Sequence, residues 1–259
     1  MSSEVIDESL VRSIDRAIDI LKAFTTEKGE LSLSEISSIV NLPKSTTHRI
    51  LNTLLKRHII EQNLETSLYY LGFETIRIGA VAKECTSIAK EALPEMHLLV
   101  KQSEQTCNLY VKRGFERLCI EQVEGLQYVK RFSYLGALRP LYCGSGKVLL
   151  AYSDSEFQKQ FFEQIELTKF TERTIVDKKL LHDELSKIRE RGYSFSIGEF
   201  DPTTASIAVP IYDYTNKLVA AITISGPSFS FNEENIKRFA EYLLASSERL
   251  SKKLGYRLP

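Results

Sequence analysis

Net charge is what this chain most plainly lacks: 34 lysines and arginines stand against 34 aspartates and glutamates in 259 residues. A globally basic surface is therefore excluded, and any attraction to phosphate must come from a local patch. No apolar run approaches the ~20 residues of a membrane span. The first ten residues are acidic and polar, without the apolar core of a signal peptide. The expectation is a cytoplasmic protein with no membrane partner. Cys85, Cys107, Cys119 and Cys143 are widely spaced, with no CxxC pair and no histidine at ligand spacing. That argues against a disulfide framework and a structural zinc site, and neither metal nor cofactor is expected. Cys107 and Cys119 fall in β-prone runs and read as small buried hydrophobes.

A second scarcity is local. Between Ile36 and Ile60 there is no aspartate or glutamate, while Lys44, Arg49, Lys56, Arg57, His48 and His58 all fall there. The middle of this window reads Asn41-Leu42-Pro43-Lys44-Ser45-Thr46-Thr47-His48-Arg49, followed by Ile50, Leu51, Leu54 and Leu55 at helical spacing. A proline that can open a helix, small polar residues in the first turns and a basic far end suit a helix that enters the major groove. Short hydroxyl side chains let such a helix approach base edges closely.

The flanking pattern supplies the rest of a DNA-binding unit. Residues 13–24 place Ile14, Ala17, Ile18, Leu21 and Phe24 at three- and four-residue intervals, an amphipathic helix. Ser32 with Glu35 has the form of a capping box opening a second helix, which buries Leu33, Ile36 and Val40 or close neighbours. After the third helix, 59–62 and 68–71 are β-prone runs around a polar turn, a hairpin in the position of a wing. A three-helix bundle whose hairpin binds protein is the alternative. On the third helix Ile50, Leu51, Leu54 and Thr47 face the bundle core. Lys44, Ser45, Thr46, His48 and Arg49 face outward, with Ser45, Thr46 and Arg49 near base edges and Lys44 and Lys56 nearer phosphates. His48 either meets a base or stands in solvent. Tyr69 either touches the DNA backbone or packs under the hairpin, and packing is preferred.

From residue 74 the pattern is helical again, with a break expected at Pro94. Strands follow at 107–112, 118–123 and 128–132, helices at 144–152, 155–165 and 177–191, strands at 193–200, 207–212 and 218–225, and a helix at 232–254. Several strands are joined too briefly for parallel crossovers, which indicates an α+β domain with a mainly antiparallel sheet. The domain reading is a tail at 1–10, a winged helix-turn-helix at 11–73, a linker helix at 74–89 and an effector-binding and oligomerisation domain at 90–259.

These segments together resemble the IclR family of bacterial transcription regulators over nearly the whole chain. Ser13-Ile14-Asp15-Arg16-Ala17-Ile18-Asp19-Ile20-Leu21 is similar to the family's opening helix, and residues 42–51 are similar to its recognition helix. Tyr69-Tyr70-Leu71-Gly72 with Ile78-Gly79 matches the wing end and the start of the linker helix. Pro140-Leu141-Tyr142-Cys143-Gly144-Ser145-Gly146-Lys147 resembles the effector-loop motif, one residue shorter than the usual pattern. Arg191-Gly192-Tyr193, Gly198-Glu199, residues 207–213 and Ser225-Gly226-Pro227 follow in the family's order. The resemblance implies a winged N-terminal domain, a GAF-like effector domain, dimers that pair into tetramers, and a phosphate contact from Arg16.

Carried over by motif, the effector pocket is Gly144, Ser145, Ser196, Ser206, Thr223 and Ser225, with Phe132, Leu135 and Leu141 as its apolar side. For each hydroxyl residue, an ordinary strand or turn position competes with ligand contact. The set is hydroxyl-rich with no obligate cation. Glycines before a helical run bring backbone N–H groups together, which suits a carboxylate-bearing metabolite. A nucleotide phosphate loop is rejected, because Leu141 and Val148 stand where the pattern needs Gly and Ser or Thr. An enzyme is the main rival, but no histidine lies near these segments and no nucleophile–base pair is evident. Glu199 and Asp201 read as solvated loop-end acids. A protein-interaction module is the other rival, against which the acid-free window counts. The reading is a ligand-responsive regulator, a repressor in preference to an activator, that binds palindromic double-stranded operator DNA as a homodimer or tetramer.

Overall fold

The computed structural model describes residues 11–25, 28–84, 87–126 and 134–257, with the backbone alone at 82–84 and 87. The expected strand at 128–132, Phe132, Cys85 and the tail at 1–10 lie outside the described residues. The chain divides into two compact units, residues 1–85 and 86–259.

The first unit runs α1 (Arg12–Lys22), α2 (Leu33–Ile39), α3 (Lys44–Lys56), β1 (Ile60–Gln62), β2 (Tyr69–Leu71) and α4 (Phe73–Glu84). The Ser32–Glu35 capping box forms as expected and fixes where α2 begins. Asn41 ends it with φ +49°, a left-handed residue that asparagine tolerates. The Leu42 N–H then returns to Ser37 O at 3.1 Å and the Asn41 N–H to Ser38 O at 3.3 Å, so the orphan carbonyls of α2 are satisfied within the turn. Pro43 follows in extended conformation and α3 starts at once. β1 and β2 pair antiparallel, and Leu31 bridges to Tyr69 beside them. Ile20, Phe24, Leu31, Ile36, Leu51, Ile60 and Tyr69 form the core, so Tyr69 packs under the hairpin.

Two expectations for α1 need correction. Ile14 and Ile18, read as part of its packing stripe, are 58% and 42% exposed. The core instead receives Ile20 and Phe24, with Leu21 at the edge. α1 carries two apolar faces, and the helical period alone does not separate them.

The second unit runs α5 (Ser87–Ser103), β3 (Thr106–Arg113), β4 (Glu116–Val123), β5 (Leu138–Pro140), α6 (Gly146–Ala151), α7 (Ser155–Gln164), α8 (Lys178–Arg191), β6 (Ser194–Ile197), β7 (Thr204–Tyr212), β8 (Leu218–Pro227), a short 3-10 turn and α9 (Glu233–Lys253). Among the described residues six strands make one sheet in the order β5-β4-β3-β8-β7-β6, with all neighbouring strands antiparallel. The expected α+β class with a mainly antiparallel sheet is the architecture found.

Pro94 does not break a helix as expected: it lies inside α5. The carbonyl its ring deprives of a donor belongs to Lys90, an exposed residue, so water can satisfy it. Ala89, Ala92, Met96, Leu99 and Val100 meanwhile bury one side of α5 and carry the helix through the proline.

Strand alternation sorts the sheet's two faces. Ile222 and Ile224 of β8 turn toward α5 and α9, where Met96, Leu99, Phe239 and Leu243 complete a large apolar core. Ala221, Thr223 and Ser225 turn to the other face, where α6, α7 and α8 contribute Leu149, Leu150, Phe161, Leu181 and Leu185. The first face is almost wholly apolar. The second changes from apolar to polar along its strands.

Candidate nucleic-acid interface and ligand site

On α3, Thr47 and Leu51 are buried while Lys44, Ser45, His48, Arg49 and Lys56 are exposed. Thr46 is half-buried, less outward than the sequence reading placed it. Thr47 folds its hydroxyl back to Pro43 O at 3.2 Å, which satisfies it inside the bundle. Asn52 was not singled out from sequence, yet it is exposed one turn beyond His48, and its amide nitrogen lies 3.4 Å from His48 Nδ1. It stands on the same outward stripe as Ser45, His48 and Arg49, and an asparagine can pair bidentately with an adenine edge. The i+4 spacing from His48 was the signal for it. Arg16 is exposed on α1.

The hairpin is locked to the end of α3. His58 takes φ +56°, and the Gly72 N–H donates to Ile59 O at 2.9 Å. A Cβ on Gly72 would lie 2.3 Å from His58 O, so this position requires glycine.

In the second unit, the strand register gathers the hydroxyl residues chosen from sequence into one patch. Ser196 stands opposite Ser206, and Ser206 opposite Ser225. The adjacent row is Ser194, Ala208, Thr223 and Asn108, continuing to Gln122. Asn108 ties the two rows together, donating to Ser225 Oγ at 2.8 Å and accepting from Gln122 Nε2 at 2.8 Å. The hydroxyls of Ser194 and Thr223 are buried without a hydrogen-bond partner. An unpaired buried hydroxyl costs about 1–3 kcal/mol, so two of them in one row mark a place set aside for something polar.

The Pro140–Gly146 loop closes over one end of this patch. An ideal Cβ on Gly144 would come within 3.8 Å of Ser206 Oγ and 3.4 Å of Arg117 Nη2. Gly144 and Ser145 are buried, Leu141 is sealed in the core beneath the loop, and Leu135 is half exposed. Gly144 itself needs φ +57°.

Three charged residues that the sequence reading did not place in the site hold the loop. Lys147 is 1% exposed and its Nζ pairs with Glu199, with a second carboxylate from Glu184 at 3.7 Å. Glu199, expected to be solvated, is 7% exposed, and its other oxygen accepts the Gly144 N–H at 2.8 Å. The amide expected to receive a ligand's carboxylate is therefore occupied by the protein's own. Thr174 fixes the Glu199 backbone from outside, its hydroxyl 2.7 Å from Glu199 O. Arg117 of β4 lies under the loop and donates from Nη1 to Pro140 O at 2.8 Å and Cys143 O at 2.7 Å. The signal for Arg117 was its phase: two residues before Cys119 on one strand, it shares the face of a residue read as buried. A Cβ on Gly146 would lie 2.7 Å from Arg117 Nη1, which accounts for the second loop glycine.

Burial raises the pKa of the Cys143 and Cys107 thiols, so both are held as neutral thiols. Among the described residues there is no cluster of three or more metal-ligating side chains, and no helix is long and apolar enough to cross a membrane.

Comparison with known proteins agrees with both halves of this description. Residues 13–64 match the IclR helix-turn-helix domain, and residues 81–252 match the C-terminal domain of the bacterial transcriptional regulator IclR. The transcriptional repressor AllR of Escherichia coli (strain K12) is 31% identical over 98% of this chain and 94% of its own. The crystal structure of Thermotoga maritima IclR superposes with a TM-score of 0.75 at 30% identity, covering 95% of this chain and 100% of that one. An IclR homologue from Microbacterium hydrocarbonoxydans, solved in complex with 4-hydroxybenzoate, has the same fold: TM-score 0.81 at 21% identity over 93% of this chain and 98% of the other. With a winged helix-turn-helix at one end, a six-stranded antiparallel sheet at the other and family matches over most of its length, the chain belongs to the IclR family of DNA-binding transcriptional regulators.

Proposed function

We propose that the protein is a repressor whose grip on operator DNA is set by a small carboxylate held in its second unit. The observation that carries the reading is the outward face of α3, where Ser45, His48, Arg49, Asn52 and Lys56 stand exposed with no acidic residue anywhere in the helix. Ser45, Thr46, Arg49 and Asn52 are assigned to base edges, His48 beside them, and Lys44, Lys56 and Arg16 to phosphates. A single such helix reads few base pairs, so two copies related by a two-fold axis on a palindromic operator are the working unit, with pairing into tetramers as the next level. The exposed Ile14 and Ile18 of α1, with Val11 just before the helix, stand at three- and four-residue spacing and support a second copy covering that face.

For the ligand, the support is the hydroxyl patch of Ser196, Ser206, Thr223 and Ser225 with its unpartnered Thr223 hydroxyl. The 4-hydroxybenzoate named with the Microbacterium homologue is a carboxylate and supports that ligand class. Ligand in the second unit shifts how two recognition helices are spaced, with α4 carrying the shift. By linkage, operator DNA changes ligand affinity by the same factor. The protein then works where the DNA is, in the cytoplasm.

Selection of bound duplexes from a random pool tests the reading. Two inverted half-sites should be recovered, and binding should weaken steeply as salt rises. A chain that retains no duplex at low ionic strength would overturn it.

A further inference from the structure

An arginine offers a carboxylate two parallel donors along its Nε–Nη2 edge, and this protein uses that edge elsewhere. Arg249 grips Glu95 with it, Nε at 3.1 Å and Nη2 at 2.7 Å from the same oxygen. Arg77 turns the same edge to Glu74, with Nε at 2.7 Å.

Arg117 is different. It is 6% exposed, and among the described residues its side-chain hydrogen bonds run through Nη1 alone, to the two loop carbonyls. Its Nε is buried with no partner, and Nη2 meets no acceptor among the described residues. Carbonyl dipoles and the Tyr110 ring, 5.3 Å from the guanidinium carbon, moderate the charge but do not neutralise it. A nearly buried guanidinium without an anion is costly, and the cost falls when an anion arrives.

The surroundings say which side the anion comes from. Nη2 and the Ser206 hydroxyl both lie within 4 Å of one point beside Gly144. Ser206 opens the hydroxyl patch that contains the unpartnered Thr223. Lys147, the other cation under the loop, is already paired with Glu199, and the Gly144 N–H is already donated to that carboxylate. The group here that combines a positive charge with unpaired donors is therefore the side chain of Arg117, and the loop amide is not.

We propose that Arg117 is the residue that receives the effector's carboxylate, side-on through Nε and Nη2, and that the effector is a monoanion whose remaining polar groups reach the Thr223 and Ser206 hydroxyls. The proposal rests on the ligand-site reading above and moves the anion from the glycine loop to β4. Because Nη1 of the same side chain holds Pro140 O and Cys143 O, engaging the carboxylate also tightens the loop over the ligand.

The test uses the full chain and measured affinities for acetate, benzoate and 4-hydroxybenzoate, each beside its amide, with inorganic phosphate as a separate arm. At least one acid should bind and its amide should not. Arg117→Gln should lower that affinity by at least about tenfold, the scale of one lost charge-assisted hydrogen bond. Arg117→Lys, which keeps the charge but not the fork, should recover part of it. Should Arg117→Gln fail to fold, the Arg117 Nε–H resonance of the ¹⁵N-labelled wild type gives the same answer, shifting on addition of the bound acid. Thr223→Val leaves Arg117 untouched and separates the two ideas: if it abolishes binding while Arg117→Gln binds as wild type does, the site stands and this proposal falls. Equal binding of acid and amide, a preference for phosphate, or no response to any acid would overturn it as well.

Discussion

Lys147 and Glu199, 52 residues apart in sequence, form a buried ion pair beneath the Pro140–Gly146 loop, and the carboxylate's second oxygen accepts the Gly144 N–H. One pair thus anchors α6, the segment after β6 and the loop that leads into α6. Its value lies in its completeness, since an ion pair replaced whole by apolar groups costs little, whereas breaking it leaves a buried charge. Glu199→Gln should destabilise the second unit by about 3–5 kcal/mol, and the double variant Lys147→Met with Glu199→Gln should recover most of that. Denaturant unfolding followed in the second unit checks both.

A pH dependence follows from α5 and α9. Burial works to raise the Glu95 carboxyl, but the Arg249 guanidinium and the Ser246 hydroxyl outweigh it and hold its pKa below the ordinary carboxylate value. A depressed folded-state pKa contributes stability that is present above the unfolded value and lost as pH falls through the folded one. Glu95→Gln should therefore cost about 1–2 kcal/mol near neutrality, at the low end because Arg249 is 46% exposed and screened. The gap to wild type should stay constant down to about pH 5 and close below about pH 4. Thermal melts across that range read it out.

Two glycines of the first unit should respond with opposite sign. A methyl on Gly72 would meet His58 O at 2.3 Å, backbone that cannot swing aside, whereas one on Gly79, inside α4, would meet nothing within 4 Å. Gly72→Ala should destabilise the unit by about 1–3 kcal/mol, the usual range for overpacking. Gly79→Ala should stabilise α4 by about 0.5–1 kcal/mol through helix propensity. Helix content and melting temperature distinguish the two.

On α3, exposure separates reading from folding. Arg49→Ala should weaken operator binding and leave the melting temperature unchanged, because its side chain is exposed. Leu51→Ala should destabilise the first unit by about 2–5 kcal/mol, because Leu51 is fully buried. Operator titration beside a thermal melt separates the effects, and equal operator binding by Arg49→Ala and wild type would remove Arg49 from the interface.

What could be read from the chain was what its neighbours in sequence decide. The Ser32–Glu35 box, the Asn41-Leu42-Pro43 turn and the buried Thr47 and Leu51 each depend on residues within one or two turns. The same holds for most strands and helices of the second unit. Pro94 misled because local chemistry forbids what tertiary burial of α5 permits. Ile14 and Ile18 misled because an apolar stripe does not say whether its cover lies within the chain. β5 was missed because three residues carry no period. The hydroxyl patch was chosen by resemblance, and the register explains why those positions meet. Arg117, Lys147 and Glu199 stayed hidden because their roles arise from segments 23 to 55 residues apart, a relation that no local pattern encodes.

The close seat of Gly72 against His58 has a mechanical consequence. His58 O also accepts the Glu74 N–H at 3.4 Å, so the first turn of α4 is stitched to the end of α3 by the same carbonyl that forbids a side chain at Gly72. That shared carbonyl holds the start of α4 against the end of α3 within the first unit, and a side chain at Gly72 would prise the two apart.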